Sequence, residues 1–208
     1  MSELIERTNN KPKIIVLSGQ PACGKTSLAK DLAWRDGYNV IYGSDEIREA
    51  SDQMGITLES NRESYNAAWL EISRQRGRTW LAELAIARAL ESPGAKIVME
   101  SCRNPEDLYL LHQARLNGII DVASIALDVP ITMRFELSRK SDRERGATIE
   151  QFSQQEEYED YPGNNPAGLS TILTMKASDA LFLQDIADSK ADYFSHIEKY
   201  LRDHEFIQ

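Results

Sequence analysis

Two textures alternate along this chain. Short apolar runs rich in β-branched residues are closed by glycine or polar residues. Between them lie longer stretches in which apolar residues return every three or four positions. The first texture predicts buried strands and the second predicts helices. Strands are expected at 14–18 (IIVLS), 39–43 (NVIYG), 96–100 (KIVME) and 122–127 (VASIAL), with a weaker fifth at 180–183. Helices are expected at 26–34, stopped by Gly37, and at 45–54, closed by Gly55. One or two long helices fill 62–90, broken near Gly77, and a turn follows at Ser92, Pro93 and Gly94. Further helices run from Pro105 to just before Gly118, over 131–139 and over 149–158. Near the end, Tyr193, Phe194, Ile197, Tyr200 and Leu201 share one face at helical spacing, a stripe for core packing.

Strands that alternate with helices give βαβ units and a parallel sheet covered on both faces, an α/β fold. Ligands bind at the carboxyl ends of the strands in such sheets, so chemistry is sought there. Two polar stretches interrupt the pattern. RKSDRERG at 139–146 carries four cations, and YPGNNPAG at 161–168 reads as a loop. The segment 161–177 has no assigned role.

Composition narrows the classes. A chain of 208 residues suits one domain over 1–208 with a sizeable core. The net charge of −9 argues against coating duplex nucleic acid, though a small basic cleft can sit on an acidic body. Cys23 and Cys102 form no disulfide framework, and no Cys/His set has zinc spacing. His112, His196 and His204 are scattered and read as surface or packing residues. No apolar run approaches the ~20 residues of a membrane span, and the N-terminus lacks an apolar signal core. A cytoplasmic, reduced protein with no membrane partner is expected, as monomer or homodimer.

The most specific signal is GQPACGKTS, which comprises Gly19, Gln20, Pro21, Ala22, Cys23, Gly24, Lys25, Thr26 and Ser27. It fits the phosphate-loop pattern GxxxxGK[ST] between an expected strand and an expected helix. Glycines let successive N–H groups converge on phosphate oxygens, and the next helix adds its positive end. Lys25 reaches the β- and γ-phosphates, and the Thr26 hydroxyl takes a place on Mg²⁺. ATP and Mg²⁺ are therefore the expected cofactors.

The next strand ends frame this loop. After NVIYG, Asp45 and Arg48 stand three apart at a helix start and share a face. Arg48 suits an acceptor phosphate. Asp45 either orients or deprotonates an acceptor hydroxyl, or supports Mg²⁺ through water. Glu100 closes the third strand as the acid expected on Mg²⁺ through water, and Arg103 lies within reach of acceptor or phosphate. Arg134, Arg139, Arg143 and Arg145 follow, and arginines closing over a transferring phosphoryl group stabilise its charge. Arg139 and Arg143 are expected in that role ahead of Arg134.

Taken together, GQPACGKTSLAKDLA, YGSDEIREA, IVMESCRNPED and RFELSRKSDRERG resemble the adenylate-kinase-like branch of P-loop kinases, the nucleoside monophosphate kinases. The nearest pattern is that of archaeal dephospho-CoA-kinase-like nucleotide kinases, over roughly residues 12–202. Ser44, Glu100 and Ser101 depart from that family's GD-x-x-R and DG-x-R motifs. The resemblance implies a three-layer α/β/α P-loop fold with about five parallel strands. It also implies a helical acceptor-binding insert near 45–90 and a short lid near 139–168. It further implies transfer of the γ-phosphate of ATP to a nucleoside monophosphate or related small nucleotide. A hydroxyl acceptor is the alternative: a polynucleotide end, a hydroxylated base in DNA, a nucleoside or a small metabolite, with Asp45 as general base. A regulatory P-loop ATPase is a third reading. Trp69 and Trp80 are expected to pack in the core rather than stack on a base.

Overall fold

A computed structural model describes residues 11–59, 61–139, 148–160, 169–185 and 189–208. Five parallel strands form one sheet: β1 (Lys13–Gly19), β2 (Asn39–Tyr42), β3 (Lys96–Glu100), β4 (Asp121–Asp128) and β5 (Ala180–Leu183). Their spatial order is β2-β3-β1-β4-β5. The helices are α1 (Lys25–Asp36), α2 (Gly43–Met54), α3 (Arg62–Arg76), α4 (Trp80–Leu90) and α5 (Pro105–Leu116). They continue with α6 (Ile131–Arg139), α7 (Ile149–Asp160), α8 (Thr171–Lys176) and α9 (Lys190–Asp203).

The period-2 pattern of β1 divides the core. Ile14 and Val16 enter one apolar cluster with Trp69, Ile72, Trp80, Ala85 and Leu111, from α3, α4 and α5. Ile15 and Leu17 enter the other with Leu28 and Leu32 of α1 and Tyr193, Ile197 and Leu201 of α9. Both faces of the central strands are thus dry, the arrangement of a parallel sheet between two helix layers. Each such side chain contributes about 1.5–3 kcal/mol when fully buried. Trp69 and Trp80 are both buried in the first cluster, in keeping with the packing expected of them.

Two features of this fold position a site. β1 and β3 are neighbours, yet the helices that follow them, α1 and α5, pack on opposite faces of the sheet. The crevice between such strand ends is where α/β sheets hold ligands. The expected breaks also hold: Gly37 and Gly55 end α1 and α2 in left-handed conformation, and Gly77 ends α3. The helix α8 was not expected. It begins at Ser170, whose hydroxyl accepts from Leu173 N at 3.2 Å, and its start is tied to the cleft by Ser170 N donating to Arg103 O at 2.9 Å. Among the described residues no helix is long and apolar enough to cross a membrane. Cys23 and Cys102 are both unbridged and buried.

Candidate active site

The phosphate loop follows β1 and leads directly into α1, as its motif requires. Gly19 takes φ 140°, and a Cβ there would stand 2.5 Å from Leu127 O and 2.8 Å from Cys23 Sγ. Gly19 pairs with Leu127 across β1 and β4, so the crowding comes from the sheet itself. Gly24 caps α1 at φ 99°. Lys25 is almost wholly buried, and its ammonium donates to Gly19 O at 2.7 Å, to Gln20 O at 2.9 Å and to Cys23 Sγ at 3.4 Å. Loop carbonyls thus satisfy the cation and hold it at the loop mouth.

On the neighbouring strand Glu100 pairs with Leu17, just below the loop. Its Oε1 accepts from the Thr26 hydroxyl at 2.9 Å, so the two residues expected at a metal meet. One hydroxyl with one carboxylate suits Mg²⁺, which keeps several waters and takes its other oxygens from phosphates. Among the described residues no group of three or more His, Cys, Asp or Glu side chains forms a protein-only cage for a metal.

Opposite the loop, α2 presents Asp45 and Arg48. Arg48 Nη1 donates to Asp45 Oδ1 at 2.7 Å, and Nη2 donates to the Tyr65 hydroxyl of α3 at 2.9 Å. The pair is exposed to the cleft, and the phenol aims the guanidinium from the far side. The Tyr42 phenol is pushed up by partial burial and by the nearby Glu100 and Asp45 carboxylates. Acidic charge therefore concentrates where β2 and β3 end.

One continuous cleft of about 2630 Å³ joins these parts. A pocket for a single small ligand spans roughly 300–1,000 Å³, so the cleft has room for two substrates. Gly19, Lys25 and Thr26 line it on one side, Asp45, Arg48 and Arg103 on another, and Glu100 lies between. The loop, the α2 pair, Glu100 and Arg103 are thus brought together.

The arginines of α6 and those after it are placed differently. Arg139 does not line the cleft. Its side chain is 64% exposed, 3.9 Å from Glu136 Oε1, with its guanidinium 5.8 Å from the Phe135 ring centroid. As the last residue of α6 it folds back on its own helix. Arg143 and Arg145 lie outside the described residues, with the rest of 140–147. Arg134 is buried instead. Its Nε donates to Val129 O at 2.7 Å, Nη1 donates to Pro21 O of the phosphate loop at 3.3 Å, and Nη2 donates to Glu156 Oε2 at 2.9 Å. Nη1 also meets Glu156 Oε1. Phe135 and Phe152 pack edge-on at 5.8 Å beside this pair, so α6 and α7 are clamped together and to the loop.

The cleft has walls that sequence reasoning missed. Tyr65 and Asn66 of α3 and Asp107 of α5 line it, beside Trp69 and Phe194, which the sequence had marked for packing. Asp107 is 2% exposed; its Oδ1 accepts from Ala82 N at 3.4 Å. Burial pushes its carboxyl up to about 7, against the pull of that N–H and of the Asn104 side chain. Helical spacing marked the α3 residues as neighbours, but it could not say which face of the helix turns to the cleft.

No family model matches the chain. A cytidylate kinase from Methanocella arvoryzae is 50% identical over 46 residues, which is 22% of this chain and 26% of that protein. The chain thus matches about a quarter of that curated relative's length. Among solved structures, the shikimate kinase of Bacteroides thetaiotaomicron superposes with a TM-score of 0.52 at 14% identity, over 92% of this chain and 98% of that one. The deoxyadenosine kinase of M. mycoides, with dCMP and dCDP bound, gives 0.51 at 14% identity, over 91% and 99%. With the five-stranded parallel sheet, these likenesses show the three-layer α/β/α P-loop fold. The chain is similar in fold to a shikimate kinase and a deoxyadenosine kinase, and in sequence to a cytidylate kinase over a limited stretch.

Proposed function

We propose that this chain is an ATP- and Mg²⁺-dependent phosphotransferase that moves the γ-phosphate to a nucleoside monophosphate or related small nucleotide. The observation that carries this reading is the shared cleft, with a phosphate loop at one side and an acid–arginine pair at another. The local similarity to a cytidylate kinase supports the same class of acceptor.

In this reading the loop N–H groups and Lys25 hold the donor phosphates. Thr26 and Glu100 would hold Mg²⁺, which would neutralise charge on the donor phosphates. Arg48 and Arg103 hold the acceptor phosphate, and Asp45 keeps Arg48 in line. A phosphate acceptor arrives already ionised, so no general base is needed and an Asp45 engaged by Arg48 suffices. The helices α2 to α4 form the acceptor side. The short lid that excludes water is assigned to about 139–168, of which α7 is the described helix, and the whole chain acts as one kinase domain.

The test is ADP release from Mg-ATP across a panel of ribo- and deoxynucleoside monophosphates, dephospho-CoA, nucleosides, and DNA or RNA with free hydroxyls. Stimulation by a monophosphate is expected. Stimulation by hydroxyl acceptors alone would move the chain to alcohol kinases with Asp45 as base. Steady hydrolysis that no acceptor changes would leave a regulatory ATPase.

A further inference from the structure

Three asparagines line the cleft, and two of them are spoken for. Asn61 caps α3, accepting from Ser64 N at 2.9 Å, and donates to Glu59 at 2.7 Å. Asn104 caps α5, accepting from Glu106 N at 3.2 Å, and donates to Arg78 O at 2.8 Å. Asn66 is different. It is 9% exposed, faces the cleft from α3, and its amide has no hydrogen-bond partner among the described residues. Its amide atoms are not among the fully buried polar atoms, so they open onto the cleft, where a ligand group can take the place of water.

The surroundings say what kind of partner fits. Trp69 stands three residues on, on the same face of α3, and is 3% exposed. Leu81 and Leu169 line the same cleft and are buried. A flat apolar wall with one oriented polar group is how pockets hold a ring. The amide offers both an acceptor oxygen and N–H donors. A phosphate presents acceptors only and would leave the amide oxygen unpaired, and Arg48 and Arg103 already provide donors in this cleft. A nucleobase edge carries a donor beside an acceptor, which matches the amide.

We propose that Asn66 is a specificity-determining residue that reads the donor–acceptor edge of the acceptor's nucleobase. This rests on the nucleotide-acceptor reading and deepens it. Free of ligand, the amide has nothing to lose, so its removal is neutral or favourable for folding. With the right base bound, its removal loses the paired contact.

The experiment compares kcat/KM of the parent, Asn66→Ala and Asn66→Leu on CMP, UMP, AMP, GMP and base-free ribose 5-phosphate, with thermal midpoints alongside. Leucine keeps the branched shape at a larger volume and removes the polarity. The expected result is a loss of about 10- to 100-fold on the preferred monophosphate, a change under about threefold on ribose 5-phosphate, and thermal midpoints equal to or above the parent's. The preference among bases should collapse. An equal loss on every acceptor, or a lowered midpoint with base preference intact, would make Asn66 a structural residue and overturn the inference. A parent that takes all four bases equally well overturns it too, while leaving the nucleotide-acceptor reading standing. A parent that transfers to no monophosphate overturns both.

Discussion

Arg134→Met is the perturbation that most sharply separates a structural arginine from a substrate-facing one. The Arg134 and Glu156 side chains are 3% and 7% exposed, so each charge depends on the other. Removing one partner of a buried pair costs about 3–5 kcal/mol, because the survivor stays buried without its opposite charge from that partner. The arginine also leaves Val129 O and Pro21 O without its donors. For a chain this size a urea slope of about 2–3 kcal/mol per M turns that loss into a midpoint shift of about 1–2 M. Tryptophan fluorescence in a urea titration reads it. Glu156→Met should cost a similar amount. The double variant should be about 1–3 kcal/mol more stable than the two losses summed, since no lone charge remains. Additive losses would refute the coupling. A stability loss under about 1 kcal/mol for Arg134→Met, with transfer abolished, would show that the arginine serves substrate instead.

Three further outcomes are expected. The Asp107 carboxyl, raised to about 7 when folded, holds a proton that the unfolded chain gives up near pH 4. Its contribution to stability is therefore present below about pH 4 and lost as pH rises through about 7, and Asp107→Asn should flatten that decline by up to about 2–3 kcal/mol between pH 5 and pH 8, read as urea midpoints at those two pH values. A parent and variant with the same pH slope would contradict it. Gly19→Ala forces a Cβ to 2.5 Å from Leu127 O at φ 140°, so ATP affinity by calorimetry should fall at least about tenfold; unchanged affinity would mean the loop does not bind the donor as described. Asp45→Asn keeps an oxygen for Arg48 and should lower transfer to a monophosphate by roughly tenfold or less, whereas near-complete loss would point to proton abstraction from a hydroxyl.

What the sequence disclosed was mainly local. The phosphate loop is a contiguous motif whose strand and helix are its immediate neighbours, so its context was legible without tertiary knowledge. IIVLS, KIVME and VASIAL were legible because a central parallel strand is apolar on both faces. Even the weak edge strand β5 was found, with Leu181 and Leu183 turned outward. The packing of Arg134 and Arg139 was not legible. Arg134 is buried because Glu156, 22 residues on, meets it, and Arg139 folds onto Phe135 and Glu136; neither pairing is fixed by spacing alone. Asn66 was hidden within a long helical pattern that gave no sign of which side faced the cleft. The short helix α8 escaped because its start depends on Arg103 O, a contact 67 residues back in the chain.

The central claim is transfer of a phosphoryl group to a nucleotide, and the direct measurement follows that group. Mg-ATP labelled at the γ-phosphate is incubated with the chain and each nucleoside monophosphate, and the products are separated. The expected result is label in a nucleoside diphosphate, lost in Lys25→Ala and sharply reduced in Arg48→Ala. Label found only in inorganic phosphate, or only on an acceptor hydroxyl, would contradict it.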